Sequence, residues 1–440
     1  MVRHGQSTYN QMRLIQGHCD ESSLTELGVE QAQRVGRSLT GIKFDSVWCS
    51  PLQRARHTAE LIVDELQQSA PSPALQSSPN LKEVSLPLWE GISFQTAEAE
   101  YPAEYRAWRN DPANFVMKLE SGDFYPIRDV YAQAQRFWQD LLTVAAGQTI
   151  LVVAHSAINR ALISTAVGLG PERFNNLYQA NCAISVLNFS GSEGPAQLES
   201  MNLTSHMGQS LPPMRTGHRG PRLLLVRHGE TEWNRQKRFQ GQIDVPLNEN
   251  GRLQGQKAAE FLRDIPIDAA YTSSLLRPKE TAQLILEHHP GLSLQEVEAL
   301  WEISHGEWEG KFEEDIEAGY PGMLQQWQHA PETVQMPGGE NLEQVWHRSI
   351  AAWKEIVAAH SHGDTVQTVM VSAHDAINKA ILCHIVGWGP EAFWRFKQGN
   401  GAVSVIDYPN GIDSPPVLSA ANITHHLSGS VLDKTAAGAL

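Results

Sequence analysis

The stretch LLLVRHGETEWN, residues 223–234, decides the fold of this chain, because a near copy of it, MVRHGQSTYN, occupies residues 1–10. In both segments Arg-His-Gly is followed by a hydroxyl residue three places, and an asparagine six places, after the histidine. The apolar run before the second Arg-His-Gly is typical of a strand that is buried on both faces of a parallel sheet. The histidine is therefore predicted at the carboxyl end of a strand, where open α/β sheets bind ligands.

The similarity between the two segments continues along the chain. SPLQRARHTAELI (50–62) corresponds to SSLLRPKETAQLI (273–285), and RALISTAVGLGPERF (160–174) corresponds to KAILCHIVGWGPEAF (379–393). The offset between the copies changes only from 224 to 219 residues. Because this period is far longer than the roughly 20–50 residues of solenoid and propeller repeats, each copy is predicted to fold by itself.

The repeat also predicts where the domains begin and end. The segment between the copies is rich in Pro and Gly and has no periodic apolar face, as is typical of a linker. The predicted organisation is a first domain over 1–207, a linker over 208–221, a second domain over 222–428 and a C-terminal tail over 429–440.

Strand and helix signals alternate within each copy. TILVVA, residues 149–154, is a short apolar run rich in β-branched residues, and it leads into His155 and a stretch with helical periodicity. Thr25 stands where a helix N-cap is expected, and Ala32 and Val35 follow on one face of that helix. This alternation predicts two tandem three-layer α/β/α domains, each with a mainly parallel sheet.

Composition excludes several classes of protein. The 440 residues carry a formal net charge of −15, with both signs interspersed, which argues against a nucleic-acid partner. The four cysteines are far apart, so neither a disulfide framework nor a zinc site is predicted, and a reducing cytoplasm is the expected compartment. No apolar run reaches the length of a membrane span, so no membrane partner is expected.

Four elements recur in the same order in both copies. They are Arg-His-Gly, an arginine, a glutamate that precedes Trp-Glu-Gly, and a histidine that closes a strand. The glutamate and the last histidine are 72 residues apart in each copy. In copy one the residues are Arg3 with His4, Arg54, Glu83 and His155, and in copy two they are Arg227 with His228, Arg277, Glu302 and His374.

With this set of motifs, both copies resemble the histidine phosphatase superfamily, which has the phosphoglycerate-mutase-like fold. The resemblance covers nearly the whole chain apart from the linker and the tail. It implies that His4 and His228 accept the phosphoryl group and that Glu83 and Glu302 donate a proton. It implies a phosphate-binding cluster of Arg3, Arg54 and His155 in copy one and of Arg227, Arg277 and His374 in copy two, with Asn10 and Asn234 as further contacts.

The chemistry of phosphoryl transfer gives independent reasons for these residue types. Flanking arginines disfavour the imidazolium form, so they keep the nucleophile unprotonated while they hold the phosphate. Guanidinium groups match phosphate geometry without a metal, so no metal or other cofactor is expected. A carboxyl group can protonate the leaving oxygen if burial or bound phosphate raises its pKa. Gly5 and Gly229 are expected to let the backbone approach the phosphate.

The Trp-Glu-Gly segments contain two rival acids, Glu90 and Glu309. We interpret both as structural, because the proton donor implied by the resemblance lies seven residues earlier in each copy.

The copies also differ. Only Met1 and Val2 precede Arg3, so the first strand of copy one is predicted to be short, and copy one to be the less stable half. Copy two has MPGGENLEQVW, whereas copy one has GDFYPIRDVYAQA there, which supplies Tyr125 and Arg128. The two sites are therefore expected to prefer different substrates. With FYPIRDVY, VVAHSAINRALISTAVGLG and NCAISVLNF, copy one resembles the two-domain carboxyarabinitol-1-phosphate phosphatases more closely than the mutases.

The resulting prediction is a metal-independent phosphomonoester hydrolase. Its substrate is a small phosphorylated metabolite, a sugar or sugar-acid phosphate, with 2-carboxyarabinitol 1-phosphate as one candidate. The alternatives are a mutase of the phosphoglycerate type and a phosphoserine phosphatase. A third reading makes one domain silent and regulatory. The sequence leaves the oligomeric state open.

Overall fold

The computed structural model describes residues 1–69, 71, 73–191, 194–362 and 365–436. The chain divides into two compact units, a first over 1–198 and 202–212 and a second over 199–201 and from 213 onwards. Each unit contains one copy of the repeated sequence.

The first unit is built on a six-stranded sheet and a separate hairpin. Its strands are β1 (Val2–Arg3), β2 (Ser46–Cys49), β3 (Leu75–Ser77), β4 (Met117–Leu119), β5 (Gly122–Phe124), β6 (Ile150–Ala154), β7 (Ile184–Asn188) and β8 (Gln197–Leu203). The order in the sheet is β8-β7-β1-β6-β2-β3, and β4 pairs with β5 in the hairpin. Strands β1, β6, β2 and β3 are parallel to one another, whereas β7 is antiparallel to β1.

Helices cover both faces of this sheet. They are α1 (Thr8–Met12), α2 (Glu26–Ser38), α3 (Gln53–Gln67), α4 (Phe94–Glu100), α5 (Pro102–Asn110), α6 (Pro126–Leu142) and α7 (Ser156–Val167). Helix α2 packs on α3, and α6 packs on α7. Along β6, Val152 and Ala154 join the core cluster with Phe137 of α6, while the buried residues Leu151 and Val153 point to the other face.

The second unit repeats this plan. Its strands are β9 (Arg222–Arg227), β10 (Ala269–Thr272), β11 (Leu294–Glu296), β12 (Thr368–Ala373), β13 (Val403–Asp407) and β14 (Val417–Ile423), and its helices are α8 (Glu232–Gln236), α9 (Glu249–Leu262), α10 (Leu276–Leu286), α11 (Glu313–Gly319), α12 (Met323–His329), α13 (Leu342–Ala359), α14 (Asp375–Val386) and α15 (His425–Ser428). The order in the sheet is β11-β10-β12-β9-β13-β14. Strands β11, β10, β12 and β9 are mutually parallel, and β13 is antiparallel to β9 and β14. The prediction of two layered α/β domains with mainly parallel sheets is confirmed.

Local signals in the sequence explain where several elements begin. The Thr25 side chain accepts a hydrogen bond from the Gly28 N–H, so Thr25 is the N-cap of α2 as predicted. Strand β9 is six residues long, whereas β1 comprises two.

The segments outside the repeat make their own contacts. Residues 209–221 contain no helix or strand, and within the second unit the Arg219 N–H donates to the Pro409 carbonyl over 2.9 Å. The described part of the tail packs on the second unit, where the Asn400 N–H donates to Thr435 Oγ1 over 3.2 Å. No helix in the described ranges is long and apolar enough to cross a membrane.

Candidate active site

A histidine at the end of the central strand carries an unshared electron pair in each unit. His4 follows β1, and its Nδ1 donates to the Gly5 carbonyl over 2.7 Å; His228 follows β9 and donates to the Gly229 carbonyl over the same distance. A neutral imidazole that donates from Nδ1 has its lone pair on Nε2. In the second unit the Arg277 Nε–H already donates to Nε2 of His228 over 3.3 Å. Nε2 is therefore the ring atom whose lone pair could attack phosphorus in both units.

Burial and positive charge keep these rings neutral. His4 and His228 are each 2% exposed. Burial, with the nearby arginines as the next cause, holds the pKa of both histidines well below its usual range. For His4 the arginines are Arg3 and Arg54, and for His228 they are Arg277 and Arg227.

The helical arginine of each unit is fixed by backbone carbonyls. Arg54 on α3 is 1% exposed and donates to the Gly17 and Cys19 carbonyls, both over 2.9 Å. Arg277 on α10 donates to the Gly241 carbonyl over 2.7 Å. Burial lowers the pKa of Arg277 to about 10, so it remains a cation at neutral pH.

The second histidine faces the first across a short gap. The ring centroids of His4 and His155 are 5.1 Å apart, and those of His228 and His374 are 5.2 Å apart. Nε2 of His155 lies 2.8 Å from the hydroxyl of Ser50, and the arrangement at His374 is equivalent, with Ser273 at 2.9 Å. Nδ1 of the second histidine is thus left for another partner.

Several nitrogen atoms around the nucleophile have no protein partner. Each is buried and makes no hydrogen bond within the described ranges. Such atoms are costly unless a ligand or water satisfies them. They are Nε of Arg3, Nε of Arg54 and Nδ1 of His155 in the first unit, and Nε of Arg227 and Nδ1 of His374 in the second.

The predicted acid lies at the N-terminus of the helix that follows the second histidine. In the first unit one carboxyl oxygen of Glu83 accepts from the N–H groups of Ala157 over 2.9 Å and Ile158 over 3.2 Å. In the second unit Glu302 accepts from Ala376 N–H over 3.4 Å. Burial, followed by the nearby carboxylate of Asp375, raises the pKa of Glu302 to about 7.

The rival acids hold loops together instead. Glu90 accepts from the N–H groups of His18 and Leu86, and Glu309 accepts from those of Gln242 and Ile243. These contacts favour the interpretation of Glu90 and Glu309 as structural residues.

The two predicted asparagines lie beside the nucleophile and fix its loop. Asn10 Oδ1 accepts from Ser7 N–H and from the Asn181 side-chain amide, which also donates to the His4 carbonyl over 2.9 Å. Asn234 has the same arrangement, with Thr231 and Asn400 as its partners.

The glycine after the nucleophile is needed for a reason that the sequence did not reveal. A Cβ on Gly229 would lie within 2.8 Å of the Gly251 carbonyl carbon, in the first turn of α9. Gly5 meets Gly28 of α2 in the same way, with that carbon at 2.9 Å. The catalytic loop therefore lies directly on a helix, and a pair of glycines permits this contact.

Sequence reasoning missed several residues that hold the site. Two of these positions are identical in the two copies: Ser50 corresponds to Ser273, and Asn181 corresponds to Asn400. This identity is the signal that could have found them. A pair of charged residues in the second unit, Glu340 and Arg348, is not repeated in the first copy, so comparison of the copies could not have found it. Both Glu340 oxygens accept from Arg348, and Arg348 also donates to the Glu302 carbonyl over 3.0 Å.

In the first unit a different side chain supports the segment of the acid. Gln133 of α6 donates to the Lys82 carbonyl over 2.7 Å, next to Glu83. Arg128 turns to the Ala113 carbonyl, and its guanidinium lies 4.8 Å from the ring centroid of Tyr125. An ion pair therefore supports the segment of the acid in the second unit, and an uncharged amide supports it in the first. In neither unit do the described residues include three or more acidic, histidine or cysteine side chains placed to hold a metal ion.

Comparison with known proteins agrees with this geometry. The sequence profile of the histidine phosphatase superfamily (branch 1) matches residues 1–204 and 223–414. The 2-carboxy-D-arabinitol-1-phosphatase of Triticum aestivum is 30% identical over 436 residues, which is 97% of this chain and 86% of that protein. Phosphoserine phosphatase 1 of Hydrogenobacter thermophilus is 34% identical over 206 residues, which is 47% of this chain and 94% of that protein. The chain belongs to the histidine phosphatase superfamily and carries its domain twice.

Proposed function

We propose that the protein hydrolyses a phosphomonoester of a small metabolite through a phosphohistidine intermediate. The observation that carries this proposal is the arrangement around His4 and His228. A neutral imidazole nitrogen is surrounded by buried guanidinium groups, and the Nε–H groups of Arg3, Arg54 and Arg227 have no partner among the described residues. Such a site attracts a dianion and presents a nucleophile to it.

In the first half of the reaction Nε2 attacks phosphorus and the bond from phosphorus to the ester oxygen breaks. The arginines and the second histidine stabilise the charge on the three equatorial oxygens. The protonated carboxyl group of Glu83 or Glu302 gives its proton to the departing alkoxide, so that an alcohol leaves.

In the second half the same carboxylate takes a proton from water. The resulting hydroxide attacks phosphorus, the N–P bond breaks, and its electron pair returns to Nε2. Inorganic phosphate leaves, and the neutral histidine and the protonated acid are restored. All proton transfers are completed by protein groups and water, so we propose that the reaction needs no metal or other cofactor.

The substrate class that we propose is a sugar-acid phosphate, with 2-carboxyarabinitol 1-phosphate as the first compound to test. Support comes from the wheat phosphatase, whose similarity extends over both units. The Glu340–Arg348 pair supports the segment of Glu302 in the second unit, whereas Gln133 supports the segment of Glu83 in the first, so we propose different substrate preferences for the two units.

The experiment is a substrate screen that reads inorganic phosphate. The panel contains 2-carboxyarabinitol 1-phosphate, phosphoserine and 3-phosphoglycerate, and the proteins are the parent chain, His4→Ala, His228→Ala and the double variant. We expect phosphate release that each single variant reduces in proportion to that unit's share. Transfer of phosphate between carbon positions with no inorganic phosphate would support a mutase instead, and full activity of the double variant would overturn the mechanism.

We propose that the protein works in a reducing cytoplasm. We also propose that its partner is a small phosphorylated metabolite and not a nucleic acid. The four cysteines, Cys19, Cys49, Cys182 and Cys383, are free thiols. Thiol labelling of protein trapped in cells should find four reactive thiols after denaturation, and a disulfide would contradict the assignment.

A further inference from the structure

The residue that follows the second histidine differs between the units in a way that affects the acid. In the second unit it is Asp375, the first residue of α14 and 1% exposed. Its carboxylate lies 3.3 Å from Nη1 of Arg227 and 2.6 Å from Nζ of Lys379. Both pairs are almost completely buried. Two cationic partners offset the cost of burying the Asp375 carboxyl group.

The catalytic acid shares this helix end. Glu302 accepts from the N–H of Ala376, the residue after Asp375, and from its own neighbour Ile303. Two carboxyl groups that share a helix end influence each other's ionisation, and a proton is favoured on the group with fewer ion pairs. Among the described residues Asp375 forms ion pairs with Arg227 and Lys379 and Glu302 forms none, so the proton is favoured on Glu302. The raised pKa of Glu302 agrees with this assignment.

The first unit lacks the second carboxyl group. Ser156 stands in the place of Asp375, and Arg160 in the place of Lys379. The Arg160 guanidinium lies 3.7 Å from the ring centroid of Phe174. Glu83 instead accepts from two N–H groups of α7. The same chain therefore contains a site with the second carboxylate and a matched site without it.

We propose that Asp375 is a positioning residue that keeps the proton on the catalytic acid Glu302, and that Ser156 in its place gives the first unit a different working pH range. This inference rests on the proposed phosphatase function. The second unit is thereby set to protonate poor leaving groups at neutral pH. The charged and titratable groups around Glu302 are Asp375 on α14, Arg277 on α10, Arg227 on β9, Arg348 on α13, and the loop residues His305 and Glu340.

The test inactivates one unit at a time and exchanges the residue that follows the second histidine, Asp375 or Ser156. His4→Ala leaves only the second nucleophile, and His228→Ala leaves only the first. In the His4→Ala background, Asp375→Ser should move the alkaline limb of the pH profile of kcat/KM down by roughly one pH unit. In the His228→Ala background, Ser156→Asp should move it up. The double change Asp375→Ser with Lys379→Arg reproduces the pair of the first unit and avoids a lone buried Lys379.

A second readout does not depend on turnover. The carbonyl stretch of the protonated Glu302 carboxyl group, identified by its loss in Glu302→Gln, is titrated by infrared spectroscopy in the parent and in Asp375→Asn. A lower midpoint in Asp375→Asn supports the inference, and an unchanged midpoint overturns it. Alkaline limbs that coincide within the error of the fit in both exchanges also overturn it. A parent chain that releases no phosphate from any substrate, together with a lower infrared midpoint in Asp375→Asn, would count against the phosphatase function and not against this inference.

Discussion

The contact between Gly229 and the first turn of α9 predicts a large effect from one methyl group. In Gly229→Ala the new Cβ would lie 2.8 Å from the Gly251 carbonyl carbon and 2.9 Å from its Cα, and closer still to its oxygen. Real Cβ atoms essentially never approach other atoms within 3.0 Å, so the backbone must move by several tenths of an ångström. Both partners are backbone, so a change of rotamer cannot relieve the clash.

We expect two consequences from this movement. Forcing an extra carbon into a packed site costs about 1–3 kcal/mol of unfolding free energy. The displaced segment carries His228, and a shift of about 1 Å at a reacting atom can reduce a rate by about a hundredfold. A shift of several tenths of an ångström should therefore reduce kcat by about tenfold or more.

The assay is phosphate release in the His4→Ala background, where only the second unit turns over, together with thermal unfolding. The matched control is Gly319→Ala at the end of α11, where a new Cβ meets nothing within 4 Å. The control should change stability by less than about 0.5 kcal/mol and leave kcat unchanged. A Gly229→Ala protein with parental kcat and melting temperature would refute the reasoning.

Three further predictions follow from buried groups. The low folded-state pKa values of His4, His155, His228 and His374 mean that the unfolded chain binds protons that the folded chain does not. The contribution of these histidines to stability is full above about pH 6.5 and is lost as pH falls, by about 1.4 kcal/mol for each histidine at pH 5.5. The raised pKa of Glu302 acts in the opposite direction. Urea unfolding at pH 5.5 and 7.5 measures the difference, and equal stabilities would contradict this prediction. Asp407→Ala breaks the buried ion pair with Arg222, in which Nε lies 2.7 Å from Oδ1, and should lower the free energy of unfolding by about 3–5 kcal/mol in a denaturant titration. The control Asp123→Ala, at the exposed pair with Lys118, should lower it by less than about 1 kcal/mol. A chelator should leave phosphate release unchanged, and inhibition that added metal reverses would show that the arginines do not act alone.

Much of the site could be predicted because the chain contains two copies of the domain sequence, which can be compared with each other. Arg54 by itself could be a solvated helix charge, but its recurrence as Arg277 with the same neighbours indicates a fixed role. In the structure Arg54 lies near His4, and Arg277 lies near His228, as the order of the motifs in each copy predicts.

The remaining parts depend on contacts that no local pattern encodes. Ser50 reaches His155 across 105 residues, and Arg348 supports the Glu302 loop across 46. Asp375 is by its position in the sequence an ordinary acidic residue at a helix N-terminus, and its buried ion pair with Arg227 is visible only in the structure. The glycine after the nucleophile was assigned to the phosphate, whereas its closest neighbour is a helix.

The most direct test of the account is to trap the intermediate. The parent chain is mixed with substrate carrying labelled phosphate, quenched in alkali within a turnover, and mapped by mass spectrometry. We predict an alkali-stable, acid-labile phosphoryl group on His4, on His228 or on both, and none on the His4→Ala, His228→Ala double variant. Label on any other residue, or turnover with no label at either histidine, would contradict it.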